Sequence, residues 1–178
     1  KMPEAIIKQE KKQENDNWKD VFSGIEMAVA ELIKHRINEG RNLEEDLSQR
    51  VNNISQLLKE IVPLSKKRIE KIKLDLKEKI EQAELQIDSN RFEQELIYYL
   101  EKQDITEEIV RLQSHLSYFS ETQEANSPNG KKLAFICQEM GREINTIGSK
   151  SSDAEMQKIV VNMKDELEKI KEQLLNIL

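Results

Sequence analysis

The chain has a single cysteine, Cys137, so no disulfide framework can staple it. Aromatic residues make up only 4%, beside five Gly and three Pro, which leaves too few ring, branched and turn residues for a sheet protein. Positive charge is in deficit: 28 Lys and Arg face 34 Asp and Glu, a formal charge of -6. That balance excludes a global attraction to nucleic acid or to an anionic membrane, while a local basic groove stays open. No run of roughly 18 apolar residues and no signal-peptide core occurs, so no membrane contact is expected and the cytoplasm is the expected compartment. The chain starts at Lys1 and its first helix signal comes late, which leads us to expect that an upstream domain is missing.

What is abundant is charge, at 35%, against 37% hydrophobic residues; that mixture suits long helices that each bury one stripe better than it suits a broad core. The expected fold is all-α with no sheet: a long helical hairpin or coiled coil, then a small C-terminal helical bundle. Residues 1–16, KMPEAIIKQEKKQEND, are charged and aperiodic, as a linker or the tail of a preceding domain would be. From Trp18, the residues Val21, Phe22, Ile25, Ala28, Val29, Leu32, Ile33 and Ile37 recur at three and four, the mark of an amphipathic helix. The pattern resumes after Gly40 with Leu43, Leu47, Val51, Ile54, Leu57, Leu58 and Ile61, and Pro63 is expected to kink or end the helix. Leu64, Ile69, Ile72, Leu76, Ile80, Ala83 and Ile87 then give the narrow stripe of a second arm, completing a hairpin over 17–88. Its lysine-rich face, KKRIEKIKLDLKEK, reads as a solvated coiled-coil surface or as a nucleic-acid contact.

A C-terminal helical domain is expected over 89–178. RFEQELIYYLEK is a short helix, and Asp104 with Glu107 fits a capping box for the helix DITEEIVRLQSHLSYF. Ser127 and Pro128 can start a further helix running to a stop near Gly148, and Ser152 with Glu155 can cap the last, from about Asp153 to Asn176.

In CQEMGREINTIGSKSSD, residues 137–153, a helical reading puts Glu139, Arg142, Glu143, Thr146 and Lys150 on one stripe. Two carboxylates one turn apart repel by a few tenths of a kcal/mol, roughly, and an explanation is needed. On the helix from Asp104, Glu108, Arg111 and His115 share a polar face, flanked by Glu107. If the two helices pack antiparallel, Glu108, His115, Glu139 and Glu143 become first-shell material for Mn²⁺ or Mg²⁺. The alternative is that Arg111 pairs Glu107 or Glu108, that Arg142 pairs Glu139, and that His115 is a partly buried helix histidine. Cys137 with His115 is nucleophile and base on paper, but Cys137 borders an apolar stripe where packing is its ordinary use. Asn145, Thr146 and Lys150, beside Arg142 and several serines, form either a phosphate-binding patch or simply a polar helix end. No zinc spacing and no phosphate-cradling glycine loop is present.

Three stretches, NRFEQELIYYLEKQDITEEIVRLQSHLSYF, NGKKLAFICQEMGREINTIGSKSSDAE and KDELEKIKEQLLNIL, resemble the C-terminal domain of the YicC/YloC endoribonuclease family, and RINEGRNLEEDLSQR resembles the helical stretch before it. The resemblance covers nearly the whole chain; its most specific part is QExxREINTIGSK. It implies a bacterial, cytoplasmic, divalent-metal-dependent enzyme that cuts single-stranded RNA internally and assembles as a homo-oligomer, with a hexamer the expected order. The matching positions are Glu107, Glu108, Arg111, Leu112, His115, Gln138, Glu139, Arg142, Glu143, Asn145, Thr146, Ser149 and Lys150. Gly141 departs from the family's usual Asn, Leu178 from its usual acidic end, and the family's SMTG-like N-terminal domain has no counterpart here.

On this reading Glu108, His115, Glu139 and Glu143 are catalytic and bind Mn²⁺ or Mg²⁺, while Arg111, Lys131, Lys132, Arg142, Asn145, Thr146 and Lys150 hold the RNA. A variant without metal uses a 2′-hydroxyl nucleophile and His115 as base. The rival readings are a coiled-coil assembly protein with no turnover, and an RNA-binding module that does not cleave.

Overall fold

The computed structural model describes residues 18–82, 89–125 and 128–175, with the backbone alone at 80–82 and 89–90. Residues 1–16, expected as a linker, lie outside that range, as do Asp88, Ser127 and the 83–87 end of the expected second arm. The described residues form five helices and no strand: α1 (Trp18–Gln82), α2 (Ser89–Gln103), α3 (Thr106–Glu124), α4 (Gly130–Lys150) and α5 (Ala154–Leu174). The all-α expectation holds. Contact between residues divides the chain into two units, 1–42 and 43–178.

The expected hairpin gives way to a single helix across 18–82, and Pro63 does not end it. Pro63 removes one backbone donor and crowds the preceding turn, at a cost of about 3 kcal/mol. On the same helix Leu47, Val51, Ile54, Leu58, Ile61, Ser65 and Arg68 are all buried, spaced four and three apart without interruption across the proline. Each fully buried Leu or Ile contributes about 1.5–3 kcal/mol, so two residues before the break already offset it.

In the unit from 43 onward, α1, α3, α4 and α5 bury one continuous core, in which Ile54, Ile61, Ile105, Leu112, Phe119, Met140, Ile144, Ile147, Met163 and Ile170 are fully enclosed. Polar contacts fix the directions. Gln123 Nε2 donates to the Glu44 carbonyl at 2.8 Å, while Arg68 reaches the end of α2 and the end of α4, so α1 runs antiparallel to α3. Asn53 and Arg50 both meet Glu166, at 3.2 and 3.5 Å, and Arg68 further along α1 interacts with the charge of Asp153 at the start of α5, which sets α1 antiparallel to α5. Lys132 lies over Tyr118 and Lys150 beside Glu108, so α3 and α4 are antiparallel as expected. The result is an up-down-up-down four-helix arrangement.

The helix ends differ from expectation by one or two residues, for local reasons. Asp104 is one position too early to cap α3; its Oδ1 accepts from the Thr106 amide at 3.0 Å and the Thr106 hydroxyl at 2.7 Å, and no reciprocal capping box forms because Glu107 pairs with Arg111. Those Thr106 bonds stabilise the charged carboxylate and hold Asp104 below its usual pKa, against the opposing effect of burial. Pro128, expected at the first helical position, lies before α4; Asn129 precedes the helix, and its side-chain amide donates to the Thr122 and Ala125 carbonyls. Asp153, not Ser152, caps α5, accepting from Glu155 and Met156 amides at 2.9 and 3.1 Å. Gly148 does not stop α4, which continues to Lys150; a Cβ there would come 3.0 Å from Val160, so the glycine serves the close approach of α5.

Candidate nucleic-acid interface

The polar face is positioned by a knot of charged groups where α1, α2, α3 and α4 meet. Arg68 donates to the Lys150 carbonyl at 2.7 Å and to the Gln103 carbonyl at 2.6 Å, so one guanidinium ties α1 to two helix C-termini. Burial of Arg68 lowers its pKa from the usual arginine value, with Asp153 opposing that shift. Lys150 Nζ in turn donates to the Asp104 carbonyl at 2.9 Å and to Glu108 Oε1 at 2.7 Å. Gln157 donates to the carbonyls of Gly148 and Ser151, completing the end of α4.

This knot bears on two expectations. Lys150 is held by Glu108 and a backbone carbonyl, because the α4 C-terminus lands against the α3 N-terminus. Arg68 belongs to a lysine-rich face taken as solvated, yet it is buried. The signal was in the spacing: Ser65 and Arg68 continue the 54, 58, 61 series at the next two positions.

From the knot, the polar stripes of α3 and α4 run side by side, and the acids within them are answered one by one. Glu107 pairs with Arg111, Glu139 with Arg142 at 3.6 Å, and buried Glu143 lies 4.0 Å from Arg111 across the helix boundary. Hence the two carboxylates stacked one turn apart on α4 each have a guanidinium, one from α4 and one from α3. Glu108 keeps one buried oxygen, Oε2, without a hydrogen-bond partner, the kind of lone pair a cation accepts. Yet among the described residues no three His, Cys, Asp or Glu side chains gather as a metal site, so Glu108, His115, Glu139 and Glu143 are not brought together within one chain. The expected four-residue donor set therefore forms no ready-made cage within the described residues, and an ion here would be held by one or two carboxylates with waters and substrate phosphate completing its oxygens.

The remaining predicted residues lie on α3 and α4. Arg111, Lys131, Lys132, Arg142 and Asn145 are exposed, and His115 and Thr146 are half-buried. The Thr146 hydroxyl donates to the Arg142 carbonyl of its own helix at 3.1 Å. Two rings that the periodicity gave no reason to single out stand on the same helices. Lys132 Nζ sits 4.7 Å from the centre of the Tyr118 ring, and Phe135 lies one turn along α4. Cys137, by contrast, is fully buried, and burial pushes its thiol up to about 12, which removes it as a nucleophile at neutral pH. Another opening, a cleft of about 280 Å³ between α1 and α5, is lined by Glu60, Asp165 and Glu166 with Asn53, Gln56, Leu57 and Asn162. Its acids repel phosphate, so it is not a rival nucleic-acid site.

Comparison with known proteins matches the sequence pattern of the "Endoribonuclease YicC-like, C-terminal" family to residues 61–178. A protein of Clostridioides difficile named probable endoribonuclease YicC is 39% identical over 97% of this chain and 60% of its own length. Another of that name, from Haemophilus influenzae, is 29% identical over 89% of this chain and 55% of its own. The chain thus spans less than two thirds of the length of these curated relatives.

Proposed function

The chain belongs to the YicC-like endoribonuclease family through its C-terminal domain, and from that premise we propose that it works in an endoribonuclease that cuts single-stranded RNA internally, in the cytoplasm. The observation that carries this reading is the pair of helices α3 and α4, on which Arg111, Lys131, Lys132 and Arg142 stand exposed and His115 is half-buried, in a chain that is acidic overall. Those cations offer phosphate contacts, and because Glu107, Glu139 and Glu143 share the face, RNA phosphates take Arg111 and Arg142 in exchange for carboxylates. Arg111 and Arg142 position the backbone. His115, one turn along α3 from Arg111, is the side chain whose imidazole takes a proton from the attacking oxygen, water or a 2′-hydroxyl.

The family resemblance also implies Mn²⁺ or Mg²⁺. Since the donor set does not gather within one chain, no step here runs through a metal, and the assay measures that dependence directly. Labelled single-stranded RNA incubated with the protein should be cut internally, and Arg111→Glu with Arg142→Glu should lower cleavage by at least about tenfold, as loss of two phosphate contacts predicts. Parallel arms with Mn²⁺ and with EDTA decide between metal-assisted hydrolysis and attack by the 2′-hydroxyl. RNA that is retarded but intact would leave a binding module, and no interaction at all would leave an assembly protein.

The proposal includes a homo-oligomer, a hexamer being the order the resemblance implies. Its support is the first unit: Trp18, Phe22, Ile25, Val29 and Leu32 form one helix stripe, and each is about half exposed or more. A stripe of that size on a soluble helix asks for a partner surface. Sedimentation of the chain beside Ile25→Ser, with a lower mass expected for the variant, tests it. No described helix is long and apolar enough to cross a membrane, so that stripe is not a span.

A further inference from the structure

We propose that Phe135, one turn along α4 from the Lys132 that covers the Tyr118 ring, is a stacking surface for unpaired bases of single-stranded RNA; this deepens the RNA reading and rests on it. Phe135 is 62% exposed, while the apolar stripe of its own helix, Leu133, Ile136, Cys137, Met140, Ile144 and Ile147, is buried on another side. The core therefore makes no use of the ring. Leaving a phenylalanine in water forgoes about 1.5–3 kcal/mol of burial, so its place on a polar stripe calls for a use in solution.

Its surroundings specify that use. Lys131 and Lys132 lie within one turn on one side, Arg142 two turns along on the other, and Lys132 also caps the Tyr118 ring at 4.7 Å, with Tyr118 itself 43% exposed. Cations that track phosphates, alternating with open ring faces, are what proteins use to hold single-stranded nucleic acid without reading its sequence. A duplex keeps its bases stacked on each other and offers these rings nothing, so the pair selects for unpaired RNA. A protein partner is the weaker fit to this surface, since lysine is depleted at the centre of protein–protein interfaces and here two lysines flank the ring.

The test titrates the chain with a fluorescent single-stranded RNA 12-mer of mixed sequence, the same RNA as a duplex, and a fully abasic 12-mer that keeps the sugar–phosphate backbone without bases. Phe135→Ala should weaken single-strand binding roughly 5- to 100-fold, the range for one lost base stack. Phe135→Leu keeps the bulk without the ring and should behave like Ala, whereas Phe135→Tyr should retain most of the affinity. None of the three should change binding to the abasic RNA. Because the ring is exposed, these variants are expected to keep the fold, which circular dichroism checks. If the unsubstituted chain binds no RNA, the RNA reading falls and takes the stacking with it. If it binds and Phe135→Ala binds equally well, stacking is overturned and the RNA reading stands. A variant that loses oligomeric mass and weakens abasic and normal RNA alike would make Phe135 a protein contact, and would also overturn the proposal.

Discussion

Two stretches of the same helix, 18–37 and 47–61 of α1, carry apolar residues at the same three-and-four spacing and meet opposite fates. In the second, Leu47, Ile54 and Ile61 are enclosed by α3, α4 and α5; in the first, Trp18, Phe22, Ile25 and Leu32 face solvent. An amphipathic stripe thus records that a surface is meant to be covered, and says nothing about whether the cover comes from the same chain. The sharpest way to break the contrast is truncation. Ile54→Ala should cost about 2–5 kcal/mol in urea unfolding, as other buried Ile or Leu truncations do. Ile25→Ala should move the isolated chain by no more than about 0.5 kcal/mol. A large loss for Ile25→Ala that grows with protein concentration would place its cover on a second copy.

The charged pairs repeat the contrast. Glu39 and His35 are 3.6 Å apart with side chains 72% and 74% exposed, whereas Glu108 is buried against Lys150. Glu39→Gln should change stability by less than about 0.5 kcal/mol, the usual scale for solvated pairs. Lys150→Met strands a buried carboxylate and should cost about 2–3 kcal/mol. Much of that should return in the double variant Lys150→Met with Glu108→Leu, a cycle read by thermal unfolding.

These contrasts mark how far the sequence was legible. The all-α class and the buried faces follow from periodicity, since every core position named on α3, α4 and α5 recurs at three and four. The continuous helix was not legible, because local chemistry at Pro63 argues for a break while the contacts that override it, at Ser65 and Arg68, come from other helices. The carboxylate stripe was visible, but whether Glu143 faces a metal or Arg111 depends on how α3 lies across α4, a distance of 4.0 Å that no spacing encodes. The pairing of Lys150 with Glu108 was hidden for the same reason. Phe135 was passed over because it breaks the apolar pattern, and a break in a pattern is where a function unrelated to packing can sit.

Glycine separates the two regions by sign. Gly40 has nothing within 4 Å of where a Cβ would stand, so Gly40→Ala should gain about 0.5–1 kcal/mol of helix stability. At Gly148 the added carbon would meet Val160 at 3.0 Å, and Gly148→Ala should lower stability by a similar amount or more, up to about 3 kcal/mol. Thermal melts of both variants check the opposite signs.

The smallest effect belongs to acid. Asp104 stands at the entry to α3, where the Thr106 hydroxyl and amide hold its pKa below the ordinary aspartate value. A carboxyl whose folded pKa is depressed contributes stability above its unfolded pKa of about 3.9, and that contribution is lost as pH falls through the folded value. Unfolding followed from about pH 5 down to pH 2 should therefore show a steeper decline for the parent chain than for Asp104→Asn, whose amide does not titrate. Thr106→Val should flatten the decline partway, since it removes the hydroxyl donor and leaves the amide. Equal slopes in all three would mean that the Thr106 bonds do not set the Asp104 charge, and the entry to α3 would owe its acid response to its neighbours instead.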